Sequence, residues 1–193
     1  MKSSKAITRQ VTLTGLTEIM FDPYAGDNKT KLAPEQKMYF VPGGKGAIAL
    51  PALNILSFLA ARNTVSAPQL VIAGKGYGAI CDALLASVTI SPSYIPFLRN
   101  GQPIVFGGKF IDDVDPVSGM VVVRHVARLA KGIPNPKERP MLGLPWQLKF
   151  TMTVLPHDAL NEKLLENLFV DGGVRLGLGT FRKAFGKFSF DWK

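Results

Sequence analysis

The sequence predicts a single α+β domain, residues 1–193, and three features carry that expectation. Segments of alternating apolar and polar residues stand near both ends of the chain. Two stretches with helical apolar spacing lie between them. Hydrophobic residues make up 47% of the 193, enough to bury a core without disulfides or a metal.

Ile7 to Gly15 alternates and is rich in β-branched residues, which predicts a half-buried strand. Phe21 to Lys37 has no periodicity and is rich in Asp, Gly, Asn, Pro and Lys, so a surface loop is expected there. Met38 to Val41 is a short strand candidate, followed by the turn Pro42-Gly43-Gly44 and a pairing piece from Ala47 to Leu50. Pro51 suits the first turn of a helix reaching about Asn63, with Leu53, Ile55, Leu56, Phe58 and Leu59 on a broad apolar face. A second helix is expected from Tyr77 to Ser87, then a buried strand from Val88 to Ile90 ended by Ser91-Pro92.

Residues 92–140 change character, with Pro and Gly punctuation throughout. A hairpin is expected between Pro103–Ile111 and Val121–Arg128, joined through turns at Asp112-Asp113-Val114-Asp115-Pro116 and Ser118-Gly119. A basic loop, Lys131 to Arg139, follows it, and the whole stretch reads as an excursion from the core sheet. Trp146 to Leu155 alternates again, with Trp146, Leu148, Phe150, Met152 and Val154 on one face. Asp158 is placed to N-cap a helix through Phe169 that Gly172-Gly173 would stop, and Phe185 to Trp192 closes the chain as a strand. This order is that of a ferredoxin-like (RRM-like) βαββαβ core with an inserted β-hairpin/loop excursion.

The formal net charge of +9 favours polyanions through long-range attraction and counterion release. The lone cysteine, Cys81, lies in an apolar stretch, so a buried thiol in a reducing compartment is expected. Residues 1–10 are polar and basic, unlike a signal peptide. The most apolar window, Ala47 to Ala61, is broken by Pro51, Asn54 and Ser57 and falls short of the roughly 20 residues of a membrane span. A cytoplasmic protein with no membrane partner is the expectation. No residue spacing suggests zinc or a nucleophilic triad, so no metal, cofactor or catalytic residue is assigned.

The richest segment runs from Gly172 to Gly186. Gly177 and Gly179 are expected to bare backbone amides to a phosphate, with Arg175, Arg182, Lys183 and Lys187 supplying charge around them. Arg adds bidentate contacts, and Phe181 and Phe185 offer rings for base stacking. The loop follows a helix and opens a strand, the reverse of a dinucleotide-binding fingerprint, and it lacks the Gly-Lys-Ser/Thr ending of a P-loop. A second contact strip is expected from Arg124, Arg128, Lys131, Lys137 and Arg139, and Arg62 is placed to approach the loop from the first helix.

A helix ending in Gly172-Gly173, then Gly177-Leu178-Gly179, a basic stretch and Phe185-Gly186-Lys187-Phe188 resembles the C-terminal glycine-rich loop of the RAMP superfamily. These are the RNA-binding subunits and processing nucleases of CRISPR systems. Ala49 to Arg62 is similar to the family's proline-led first helix ending in Arg, although Ala52, Leu53 and Asn54 replace its usual serine pair and second glycine. The likeness covers about residues 5–65 and 145–193.

The resemblance implies RNA binding, and the missing histidine near the first helix points away from the processing nucleases. His125 and His157 both lie far downstream, where structural roles are expected. Asp112, Asp113 and Asp115 are expected as turn formers, although target-cutting members carry an acidic residue on an extended loop. The implied function is a non-catalytic backbone subunit that coats guide RNA beside copies of itself and other subunits of a ribonucleoprotein. A guide-processing endoribonuclease, or a phage or mobile-element protein that binds single-stranded nucleic acid or serves in assembly, are the alternatives.

Overall fold

The computed structural model describes residues 5–23, 30–128, 132 and 134–193. In chain order the elements are β1 (Ile7–Gly15), β2 (Ile19–Met20), β3 (Tyr39–Phe40), β4 (Ile48–Pro51), α1 (Ala52–Ala60), α2 (Ala67–Val71) and α3 (Tyr77–Ser87). There follow β5 (Val88–Ser91), β6 (Tyr94–Arg99), β7 (Gln102–Pro103), β8 (Val121–Arg128), β9 (Pro134–Leu142), β10 (Gln147–Val154), α4 (Glu162–Arg175) and β11 (Phe188–Trp192). The protein is an α+β fold built on a large antiparallel sheet, in the order β11-β1-β10-β6-β4-β3. A smaller sheet, β2-β9-β8, stands beside it.

β1 and β10 form the centre, in register from Ile7 opposite Val154 to Thr14 opposite Gln147. Their alternation separates two chemically distinct faces. One buries Val11, Leu13, Leu148, Phe150, Met152 and Val154. The other is a ladder of hydroxyls and amides: Thr8 Oγ1 meets Thr153 Oγ1 at 3.2 Å, Gln10 donates to Thr151 Oγ1 at 2.9 Å, and Gln147 donates to Thr14 Oγ1 at 3.2 Å.

Helices cover the apolar face through aromatic contacts. Phe58 of α1 lies 5.7 Å from Phe169 of α4 and 5.5 Å from Phe188 of β11, ring centre to ring centre. The N-cap of α4 is Asn161, whose Oδ1 accepts the Leu164 amide at 2.9 Å; Asp158 lies one turn too early. Gly172 and Gly173 do not stop this helix. They lie within it, because a Cβ on Gly172 would stand 2.7 Å from Ala67 and Phe58, and one on Gly173 would stand 2.7 Å from Phe188. Gly177 ends it instead, at φ +77°, donating to Gly172 O at 3.1 Å from a left-handed conformation that glycine adopts without cost.

The middle of the chain departs most from expectation. β6 lies in the main sheet between β10 and β4, and β7 pairs with it through Leu98 opposite Pro103, so the stretch outside that sheet starts only after β7. Residues 103–111 do not form the expected hairpin arm with β8. Asp112 and Asp113, at φ +49° and +66°, make a tight turn in which Ile111 and Val114 exchange hydrogen bonds, and the chain then folds back on Asp115. The hairpin partner of β8 is β9, the segment expected as a basic loop, paired from Val121 opposite Met141 to Arg128 opposite Pro134. Pro134, Pro136 and Pro140 fit a strand because they share one parity, which points their missing N–H groups to the same edge. Asn135, Lys137 and Arg139 then supply the donors toward β8. Among the described residues, no helix is long and apolar enough to cross a membrane.

Candidate nucleic-acid interface

The chain beyond α4 is stitched to the segment around β2. Leu178 N donates to Gly186 O at 2.9 Å, Thr180 N to Met20 O at 3.0 Å and Gly186 N to Glu18 O at 2.7 Å. The glycines make this closeness possible. A Cβ would stand 2.7 Å from Gly186 O at position 177, 2.5 Å from Met20 O at 179 and 2.0 Å from Leu178 O at 186. Backbone therefore fills the space in front of Gly177 and Gly179, which corrects the expectation of a phosphate cradle there. The glycines serve internal packing, and charge and aromatic surface come from the bend they support.

That bend turns outward. Phe181 is 41% exposed, Lys183 and Ala184 are exposed, and Phe181 and Lys183 hold φ of +54° and +78°, conformations uncommon for residues with a Cβ. Arg182 reaches from the bend to Thr64 Oγ1 at 2.8 Å, and burial pulls its guanidinium below the ordinary value. Arg175, exposed in the last turn of α4, donates to Leu70 O at 2.8 Å. Lys187 is half-buried beneath the bend, where its amide donates to Thr17 Oγ1 at 3.0 Å. Arg62 does not join this group. Its Nη1 donates to both Asp82 carboxylate oxygens at 3.0 Å, so Thr64 is the residue that meets the loop from the end of the first helix.

One face of the ribbon β8-β9 meets the loop, so part of the expected second strip lies against the first. The His125 ring of β8 lies 5.7 Å from that of Phe181 and 6.3 Å from that of Phe185, while the Arg139 guanidinium of β9 sits 4.8 Å above the Phe181 ring. Lys137 is half-buried and directly opposite His125 in the ribbon, on the face toward the loop. Arg124 projects from the other face, tied to Asp113 at 2.5 Å and Glu138 at 3.0 Å, and these carboxylates raise its pKa further above the usual range. Arg128 stands at the far end of the ribbon opposite Pro134, and Lys131 lies outside the described residues.

A cluster that sequence reasoning missed lies underneath. Asp22 receives Arg139 Nε at 2.9 Å and faces Lys37 Nζ at 3.4 Å, and Lys37 also donates to Glu138 O at 2.5 Å. Lys37 and Arg139 are only 7% and 5% exposed. Arg139 Nη1 and His125 Nδ1 are buried with no hydrogen-bond partner among the described residues. The only sequence signal was Arg139 itself, which alternation places on the inner face of β9 once that segment is recognised as a strand.

The remaining candidates are structural. His157 Nδ1 accepts the Ala159 amide at 3.1 Å ahead of α4. Asp115 is fully buried and takes the amides of Gly107, Val117 and Ser118 together with Ser118 Oγ. Cys81 is buried, and that burial pushes its thiol pKa up despite a contact with Ser66 Oγ at 3.7 Å. No cluster of metal-ligating side chains occurs among the described residues. Neither a protein-family model nor a curated protein matches this chain.

Proposed function

We propose that this chain binds single-stranded nucleic acid, RNA in preference to DNA, as a non-catalytic backbone-type subunit like those of the RAMP superfamily. The observation that carries the reading is the surface around Phe181. An exposed ring on a constrained bend stands between Thr180 and Arg182-Lys183 in the chain and packs against His125 and Arg139 of the ribbon, where Lys137 is paired opposite His125. Rings that stack on bases and cations that track phosphates are what sequence-tolerant strand binding requires. A charge of +9 supports the same reading.

A ferredoxin-like core underlies this reading. Its support is the antiparallel order β11-β1-β10-β6, with α1 to α3 between the first strand and β5/β6, and α4 between β10 and β11. On β1 and β10 the open face carries Thr8, Gln10, Thr12, Thr14, Lys149, Thr151 and Thr153, with no ring among them; Tyr94 of β6, 36% exposed, is a ring on that face, so base stacking falls chiefly to the loop. Phosphate recognition falls to side chains, since the glycines face their own backbone. The ribbon β8-β9 is the excursion that would reach toward a neighbouring subunit or separate bases.

Replacing Arg175 and Arg182 together with Ala should weaken binding of single-stranded RNA by at least about tenfold, with the circular dichroism spectrum unchanged. Unchanged affinity would place the site elsewhere. Equal affinity for DNA and RNA of one length across a salt series would favour the mobile-element alternative. Discrete metal-independent cuts in labelled repeat-type RNA would turn the assignment to a processing nuclease.

A further inference from the structure

Two buried cations, Lys37 and Arg139, share the carboxylate of Asp22, the one carboxylate paired with them among the described residues, which leaves one positive charge in excess there in a place nearly closed to water. Burying an uncompensated charge is costly unless something pairs with it. Arg139 spends its Nε on Asp22, yet its Nη1 is buried without a partner, and so is His125 Nδ1. Both side chains touch one ring: Phe181, 4.8 Å from the guanidinium carbon and 5.7 Å from the imidazole centre. That ring is 41% exposed and stands on a residue held at φ +54°. Unpaired buried nitrogens, an excess charge and a strained residue covering both are features that cluster at ligand sites.

We infer that Arg139 and His125 form a seat for one phosphate group, and that Phe181 is its removable cover. The phosphate oxygens take the free Arg139 Nη1 hydrogens and meet the imidazole edge, which balances the excess charge beside Asp22. Phe181 swings outward as the phosphate enters and becomes free to stack on the adjoining base. The inference deepens the strand-binding reading and rests on it for the source of the phosphate, but the seat itself can be probed with a small anion.

Titrating the whole protein with inorganic phosphate and with 5′-AMP, followed through the His125 ring resonances by NMR, tests the seat directly. The ring signals should shift saturably. Phe181→Ala removes the cover and should tighten phosphate binding by about threefold or more, while Arg139→Lys keeps the charge but loses the planar fork that bonds Asp22 and the phosphate through separate nitrogens, and should weaken it about tenfold. A residue with a merely structural role would not yield opposite signs. Phe181 is exposed, so Phe181→Ala keeps the test decisive even if Arg139→Lys fails to fold: no tightening, or no response of His125, overturns the seat. With RNA, a gain for a 5′-phosphorylated strand over its 5′-hydroxyl counterpart assigns the seat to a strand end. Equal binding that falls about tenfold in Arg139→Lys assigns it to an internal phosphodiester. RNA binding that depends on Arg175 and Arg182 but is indifferent to Arg139→Lys overturns the seat and leaves the strand-binding reading intact. Phosphate binding without RNA binding does the reverse.

Discussion

Asp115 and Asp22 both place a carboxylate out of water, and the molecule satisfies them in opposite ways. Asp115 gathers neutral donors from its own neighbourhood: the Gly107 amide at 3.1 Å, the Val117 amide at 3.3 Å, the Ser118 amide at 3.0 Å and the Ser118 hydroxyl. Asp22 gathers cations from distant segments, including Arg139, 117 residues away. The first arrangement is closed, with every donor pointing at one acceptor that shapes the turn. The second is less closed: among the described residues two cations meet one carboxylate, and Arg139 Nη1 is buried without a hydrogen-bond partner. A buried carboxylate met by neutral donors shapes a turn; one met by cations ties distant segments together and, in the proposed seat, leaves a place for an anion.

Substitutions at the two sites sharpen that contrast. Asp22→Asn leaves Lys37 and Arg139 without a counter-charge and should cost about 4 kcal/mol in denaturant unfolding, the largest effect expected. Added phosphate should recover more stability in this variant than in the parent, because an anion can replace the lost one. A loss below about 1 kcal/mol would mean that the triad is not desolvated as described.

Asp115→Asn should cost about 2 kcal/mol through donors left poorly paired. It should also change the acid limb of stability. Burial alone would lift the Asp115 carboxyl, but the Ser118 hydroxyl and the amides of Ser118, Gly107 and Val117 outweigh it and hold the pKa below the usual value. A depressed folded pKa gives stability that is fully present above the unfolded value of about 3.9 and is lost as pH falls through the folded one. Unfolding measured from pH 6 down to pH 2 should show this loss in the parent and less of it in Asp115→Asn, whose side chain does not titrate. An identical pH profile in both would remove Asp115 from the account.

Asp82 completes the series as a carboxylate left in water. Its bond to Arg62 has both side chains 61% exposed, so Arg62→Ala should alter stability by no more than about 0.5 kcal/mol and RNA affinity by less than about threefold. A larger fall in affinity would return Arg62 to the interface.

Much of the frame was legible in the sequence because local signals and the global fold agree. The helix expected from Tyr77 to Ser87 has those bounds, and the alternation from Trp146 to Val154 buries each of the five residues assigned to one face. Legibility failed where tertiary contact overrides local chemistry. Prolines announced a loop in 134–140, yet their shared parity makes them compatible with one edge of a ribbon. Gly172-Gly173 announced a helix end, but the need for Phe58 and Phe188 to come close keeps them inside the helix. In the glycine-rich loop, local sequence misled about the glycines: Phe181 and Lys183 are exposed, whereas Gly177 and Gly186 are buried against backbone. The Asp22 cluster had no local signature, because its members come from a polar segment and a strand brought together only by the fold.

The hydroxyl ladder on the open sheet face has a consequence of its own. The Thr8 and Thr153 hydroxyls bond to each other, and with Thr12 they keep the β1-β10 part of this face free of apolar footholds. Apolar side chains open to contact stand instead on the helices and the ribbon, at Leu53, Leu85 and Val126.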